Sequence, residues 1–167
     1  MIDLVELEDL FDDLDFDEPS QHHFDEMLRI FTEDFVTNPF QVDGKNVKVV
    51  MQPSWNREFR GHPETFVHLI TRESRHKGKN ERQFDRERAN RIHWVKQILL
   101  QQADTRIKYY ELADEKGYVK QHYWFEEGDF LVVLKPISAD LLVVTGFYVD
   151  ALERPKQRRR YNEYRGL

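Results

Sequence analysis

The chain has 167 residues, a net charge of −6 at pH 7 and no cysteine, which excludes disulfide bonds, thiolate nucleophiles and zinc–thiolate sites. Its length predicts one domain that buries a hydrophobic core without covalent cross-links. The N-terminus is acidic, unlike a secretory signal, and no apolar run approaches the roughly 20 residues that cross a bilayer. We therefore expect a soluble, cytoplasmic protein with no membrane partner.

Charge is distributed unevenly along the chain. Residues 1–20 contain nine acidic side chains and no basic one, so the rest of the chain carries a net charge of +3. We predict that residues 1–19 form an acidic leader that is poorly ordered or docks on the body, and that residues 20–167 form a single domain with a basic C-terminal tail. A docked leader would shield a basic groove, whereas a passive one would only aid solubility.

The first predicted elements are a helix and a strand. Ser20 is a suitable helix N-cap, and the apolar stripe that follows it predicts a helix as far as Phe35. Asp43-Gly44 predicts a turn, and the segment KNVKVVM at residues 45–51 predicts a strand.

A strand that contains a histidine is predicted next. The segment FVHLITR at residues 66–72 favours a strand, in which alternation places His68 and Arg72 on the same face. The surrounding residues 71–96 contain nine Lys or Arg against four Asp or Glu, although the whole chain is acidic. Arginine donates paired hydrogen bonds to phosphate oxygens and histidine transfers protons near neutral pH, so this region could serve a phosphodiester.

A basic helix is predicted over residues 84–102. Arg88 and Arg91 lie three residues apart and share one side of it. The opposite side is apolar and is predicted to be buried, through Ala89, Ile92, Val95, Ile98 and Leu99.

The second half of the chain predicts β-structure. Four strands separated by short turns are expected at residues 107–112, 118–126, 129–136 and 140–150. Short connections favour an antiparallel meander over alternating strands and helices. The predicted fold class is α+β, with N-terminal helices followed by a twisted antiparallel sheet of four to six strands packed on one central helix.

The order of these elements, together with the motifs FVHLITR, RANRIHW and LVVTGFYVD, resembles one group of nucleases. It is similar to the phage- and mobile-element-associated branch of the Barnase–EndoU–colicin–RelE superfold of metal-independent ribonucleases. The resemblance spans about residues 45–165. It implies a small RNA-cleaving domain with a four-stranded sheet, of the toxin or effector type. Such a domain would take RNA as its substrate and a cognate inhibitor or antitoxin protein as a partner.

The chemistry of such a reaction selects candidate catalytic residues. Metal-independent RNA cleavage needs a base for the ribose 2′-hydroxyl, a cation for the phosphorane and an acid for the leaving 5′-oxygen. We predict His68 as the base, with a buried core histidine as the alternative interpretation. The predicted catalytic set around one phosphate is His68, Arg72, Arg88, Arg91 and Thr145.

Four further residues are predicted to bind substrate. Arg75 and His76 follow the histidine strand, where they would clamp the substrate or simply be solvated. Trp94 would stack a base or pack in the core, and Tyr148 is a candidate hydroxyl donor. The spacing of the histidines fits no metal-ligand motif, so we predict no metal site and no cofactor.

Two non-catalytic functions remain open from the sequence. The basic surface could belong to a nucleic-acid-binding module without enzymatic activity. Alternatively, the chain could be a protein inhibitor whose acidic N-terminal arm mimics nucleic acid and occupies the basic groove of another protein.

Overall fold

The computed structural model describes residues 1–74 and 81–167. Within these described ranges, eight strands lie in two sheets, at Gln41–Val42 (β1), Lys45–Lys48 (β2), Thr71–Glu73 (β3), Arg82–Phe84 (β4), Ile107–Ala113 (β5), Val119–Phe125 (β6), Phe130–Ile137 (β7) and Asp140–Tyr148 (β8). The main sheet has the order β1-β2-β8-β7-β6-β5, and β3 and β4 form a separate antiparallel hairpin. In the same part of the chain there are five α-helices, at Gln21–Thr32 (α1), Glu64–Ile70 (α2), Arg86–Ala89 (α3), Trp94–Leu100 (α4) and Arg154–Arg165 (α5).

The α+β class is confirmed, and the predicted meander forms strands β5 to β8. The main sheet is mixed rather than purely antiparallel, because β2 pairs in parallel with the first residues of β8. Strand β2 ends at Lys48, earlier than the predicted residue 51. Asp43 and Gly44 have φ angles of 51° and 78° and form the predicted turn between β1 and β2.

Helix α1 begins as its sequence predicts. The Ser20 hydroxyl accepts a hydrogen bond from the His23 amide at 3.1 Å, which satisfies one of the unpaired donors of the first turn. A π-helical turn, Glu33–Thr37, extends the helix beyond α1 and buries Phe35.

The predicted strand over residues 66–72 is wrong for most of its length. Residues Glu64–Ile70 form helix α2, and only Thr71–Glu73 are extended. A short apolar run fits a buried helix as well as a strand, and here α2 buries every residue except Glu64 and His68. His68 and Arg72 therefore do not share the face of one strand.

The predicted helix over residues 84–102 is divided. Phe84 belongs to β4, Asp85 caps α3 by accepting from the Arg88 amide at 3.1 Å, and a turn separates α3 from α4. The apolar face of this segment is nevertheless buried as predicted. Gly146 permits a close approach of α4 to β8, because a Cβ atom there would lie 3.1 Å from Val95 Cγ2.

The acidic leader docks on the body. Leu4, Leu7 and Leu14 are buried in the same hydrophobic core as the helices and the sheet. The Asn90 amide bonds to the backbone of Phe11, accepting from its N–H at 2.7 Å and donating to its carbonyl at 2.9 Å. Residues 1–19 thus contribute apolar side chains as well as charge, and their removal would uncover the core.

Helix α5 covers the face of the main sheet that is opposite to helices α2 and α4. The Tyr110 hydroxyl donates to Oε1 of the buried Gln157, and Arg154 forms an ion pair with Asp129. Trp124 lies in the apolar cluster between this helix and the sheet. The basic C-terminal tail is therefore a packed helix. None of the helices in the described part of the chain is long and apolar enough to span a bilayer.

We expect the substitution Leu99→Ala to lower the free energy of unfolding by about 2–5 kcal/mol, because Leu99 is 1% exposed and the shortened side chain leaves a cavity. Urea denaturation measures this change. Leu100→Ala is the matched control, because Leu100 is 38% exposed and its truncation should cost less than about 0.5 kcal/mol. Equal losses in the two variants would contradict the packing of α4.

We expect the buried His122 to destabilise the fold in acid. Its ring stacks on Tyr110 with a centroid separation of 4.5 Å, and burial lowers the pKa of His122 to about 4. The folded state then binds fewer protons than the unfolded state between pH 4 and pH 6.5, so stability falls across that window as pH falls. The effect is on the order of 2–3 kcal/mol.

Urea denaturation at pH 7 and at pH 4.5 tests this expectation. The variant His122→Gln should lose less stability between the two pH values than the wild type, and the exposed His22→Gln should behave as the wild type does. An unchanged pH dependence in His122→Gln would contradict it.

Candidate active site

The C-terminal end of α2 meets the hairpin of β3 and β4 at Thr71. Its carbonyl oxygen accepts from Arg88 Nη1 at 2.8 Å and from Arg82 Nη2 at 3.0 Å. Its hydroxyl donates to the Val67 carbonyl at 2.5 Å and accepts from Arg82 Nε at 2.8 Å. Two guanidinium groups thus satisfy the backbone where the helix ends.

Arg88 forms part of this structural junction. Its Nη1 also donates to Thr145 Oγ1 at 3.3 Å and lies 3.5 Å from the His68 carbonyl oxygen, and Nε is 3.5 Å from Asp85 Oδ2. Burial, opposed by Asp85 and reinforced by the nearby Arg82 and Arg72 charges, lowers the pKa of Arg88 to about 10. The side chain remains charged at neutral pH, and Nη1 is occupied by protein oxygens.

Thr145 lies on strand β8 and reaches this junction through its hydrogen bond with Arg88. Strand β2 pairs with β8 only from Asp140 to Leu142, and helices α2 and α3 also contact β8. The register shift between Val133 and Leu134 on β7 leaves Val144 as an extra residue just before Thr145. The predicted grouping of Arg88 with Thr145 is therefore present as a direct hydrogen bond.

His68 opens on a cavity of about 510 Å³, which we call the histidine cleft. The cleft is lined by Ser54, Trp55, Asn56, Arg57, Glu64, His68, Glu73, Glu81 and Arg82. The His68 side chain is 33% exposed, and its Nε2 lies 3.2 Å from Glu64 Oε1, one helical turn earlier. Burial and the Arg82 charge lower the pKa of His68, while Glu64 opposes them. The imidazole is thus neither enclosed by apolar side chains nor remote from arginine.

The histidine cleft is mixed in charge. Arg57 and Arg82 face three carboxylates, and Arg82 is the cross-strand partner of Glu73. Burial lowers the pKa of Arg82, and Glu73 and Glu64 oppose that shift. Arg82 is therefore a cation of this cleft that interacts electrostatically with two of its carboxylates, Glu73 and Glu64.

Arg72 lies on the other face of the hairpin. It pairs across the strands with Gln83, whose amide oxygen, when turned toward it, accepts from Arg72 Nη2 at 2.7 Å. Both residues line a second cavity of about 370 Å³ together with Asp17 and Glu18 of the leader. Arg72 is therefore not grouped with His68, since adjacent residues of a strand point to opposite faces.

Arg91, Trp94 and Tyr148 lie together, apart from the histidine cleft and from the cavity beside Arg72. The Arg91 guanidinium lies 5.3 Å from the Trp94 ring and 4.9 Å from the Tyr148 ring, and it pairs with Glu87 at 2.8 Å and Asp9 at 3.3 Å. Trp94 is buried and donates from Nε1 to the Glu8 carbonyl at 2.9 Å. The docked leader thus covers Trp94, which packs in the core and is not available to stack a base in this arrangement.

The remaining sequence-based candidates, Arg75 and His76, lie outside the described residues. Within residues 1–74 and 81–167 there is no group of three or more His, Cys, Asp or Glu side chains that could hold a metal ion. Among the residues that line the histidine cleft, the sequence analysis selected His68 and missed its neighbours, including Trp55, Glu64 and Arg82. The signal for Glu64 was its i,i+4 spacing from His68, which becomes informative only once the segment is recognised as a helix.

Neither the family models, nor the curated proteins, nor the solved structures contain a match to this chain.

We expect the substitution Arg88→Ala to act mainly on folding. It would remove the Arg88 donor from the Thr145 hydroxyl and from the Thr71 carbonyl, which keeps Arg82 as a donor, so we expect a loss of roughly 1–3 kcal/mol in total. Urea denaturation should show that loss. The control Arg57→Ala, on the rim of the histidine cleft, should change stability by less than about 0.5 kcal/mol. Unchanged stability in Arg88→Ala would return Arg88 to the set of candidate phosphate ligands.

Proposed function

We propose that the chain is a metal-independent endoribonuclease of the toxin or effector type, and that the histidine cleft is its active site. The observation that carries this proposal is the His68–Glu64 pair, which is partly exposed and opens beside Arg82 on a cavity of about 510 Å³. A base, a group that orients it and a cation are the parts that attack by a ribose 2′-hydroxyl requires.

The pair suits a general base. In the proposed tautomer, Nε2–H of His68 donates to Glu64, so Nδ1 carries the lone pair that accepts a proton. Because its pKa is lowered, the imidazole is neutral at neutral pH and can accept a proton. In the proposed reaction Nδ1 takes the 2′-hydroxyl proton, and the 2′-oxygen forms a bond to phosphorus. The bond to the 5′-oxygen breaks, and that oxygen takes a proton from water, which leaves a 2′,3′-cyclic phosphate.

Arg82 supplies the positive charge in this scheme. Its Nε and Nη2 are held by Thr71, so the guanidinium is positioned before substrate binds. A preorganised cation next to developing phosphorane charge is the kind of interaction that contributes most to such reactions. This assignment replaces Arg72, Arg88 and Arg91 by Arg82 as the residue that contacts the phosphate.

Membership of the Barnase–EndoU–colicin–RelE superfold remains part of the proposal. Its support is the motif resemblance together with the α+β order of elements and the four-stranded meander β5–β8. A cognate inhibitor or antitoxin protein and a cytoplasmic location belong to the same proposal. Among described residues, the acids Asp3 and Asp9 pair with Arg106 and Arg91 of the chain's own body, which favours this proposal over an arm that mimics nucleic acid for another protein.

A non-catalytic nucleic-acid-binding module is the second candidate. It is favoured by helix α5, where Arg158 and Arg159 are exposed. It is also favoured by the three carboxylates of the cleft, which oppose the binding of a phosphate.

We expect His68→Ala to lower the rate of RNA cleavage by at least about 100-fold while it changes RNA affinity less than about twofold, because a general base acts in the transition state. The assay uses unstructured RNA in the presence of EDTA and identifies the 2′,3′-cyclic phosphate product. The exposed His22→Ala is the matched control and should cleave at the wild-type rate.

The pH profile provides a second readout. Activity should fall with decreasing pH as His68 becomes protonated, and Glu64→Gln should move this acidic limb to lower pH, because Glu64 raises the pKa of His68. Undiminished cleavage by His68→Ala would refute the assignment of the base. Binding of RNA without cleavage by the wild type would favour the non-catalytic module.

A further inference from the structure

Trp55 is the exposed tryptophan of this chain. The protein has three tryptophans, and Trp94 and Trp124 are buried whereas Trp55 is 83% exposed. It lines the histidine cleft together with His68 and Arg82. A large aromatic ring left in water forgoes the stabilisation that burial would give, so its position beside the cleft points to a ligand.

The loop that carries Trp55 is held in place by hydrogen bonds. The buried Ser54 donates from its amide to the His62 carbonyl at 2.7 Å, and its own carbonyl accepts from the Gly61 amide at 3.0 Å. Its hydroxyl accepts from the Asn56 amide at 3.1 Å. The loop is also anchored by the buried Phe59. Because the residue before Trp55 is fixed and buried, the indole is displayed from a defined position.

Arginine side chains lie near the exposed Trp55 ring. The Arg60 guanidinium lies 5.9 Å from the centroid of the Trp55 ring, and Arg57 lines the same cleft. With 83% of the residue exposed, the ring is open to a second flat group. An aromatic platform flanked by arginines is the arrangement that binds the bases and phosphates of single-stranded nucleic acid.

We propose that Trp55 is a base-stacking subsite of the histidine cleft, which binds an unpaired nucleobase of single-stranded RNA next to the phosphate held at Arg82. The choice of RNA as the ligand rests on the proposed function. The subsite selects single strands, because the bases of a duplex are already stacked on one another and cannot reach the indole.

The test is the binding of a 2′-O-methyl oligonucleotide of about six nucleotides, which lacks the nucleophile and cannot be cleaved. Binding should quench the fluorescence of the exposed Trp55. Trp55→Ala should weaken affinity roughly 5- to 100-fold, and Trp55→Phe should lose less, because a ring remains for stacking. Tyr118→Ala is the matched control, since Tyr118 is an exposed aromatic that does not line the cleft, and it should bind as the wild type does.

Two further ligands separate stacking from simple attraction to phosphate. An abasic oligomer of the same length should bind weakly and equally to the wild type and to Trp55→Ala. A duplex of the same sequence should leave Trp55 unquenched. Because no cleavage occurs in this assay, quenching that depends on Trp55 supports the subsite even if the wild type does not cleave RNA.

Three results would overturn the subsite: wild-type affinity in Trp55→Ala, equal losses for the abasic and the complete oligomer, or no binding of the oligomer by the wild type. Cleavage that depends on His68 but not on Trp55 would retain the proposed function and reject the stacking platform.

Discussion

The Arg88 guanidinium joins three parts of the protein that are distant in sequence. Its Nη1 lies within hydrogen-bonding distance of oxygens of His68, Thr71 and Thr145, which belong to helix α2, strand β3 and strand β8. A buried cation has to be surrounded by oxygens, because an unpaired charge in a low-dielectric interior is costly. That requirement fixes the end of α2 against the edge of the sheet and so sets the position of His68.

The two arginines of this junction differ in their access to the histidine cleft. Arg88 is partly buried and bonded to protein oxygens, whereas Arg82 is bonded to Thr71 and also lines an open cleft. Both lie close enough to lower the pKa of His68 by charge repulsion, which together with burial favours the neutral imidazole that a base requires. The arginines that stabilise the fold at this junction thus also lower the pKa of the histidine that is proposed as the base.

The acidic leader illustrates how charge and burial act together. Its sequence predicted attraction to a basic body, and Asp9 does pair with Arg91. The larger contribution comes from Leu4, Leu7 and Leu14, which are buried in the core. Burying an aliphatic side chain is worth roughly 1.5–3 kcal/mol, more than an exposed ion pair of at most about 1 kcal/mol. Docking of the leader therefore depends on apolar contacts that its charge count does not reveal.

The sequence alone determined the elements whose signals are local. The Ser20 cap, the Asp43-Gly44 turn, the strands β5 to β8 and the buried face that includes Leu99 follow from side-chain chemistry and periodicity within a few residues. It did not determine whether the apolar segment around His68 is a strand or a helix, because both bury such a run. Only tertiary contacts decided that, since the helix ends where Thr71 meets Arg82 and Arg88. The residues that line the cleft follow from the helical structure of this segment. One helical turn brings His68 next to Glu64. The alternation of side chains along the hairpin then places Arg82 on the side of the cleft and Arg72 on the other side.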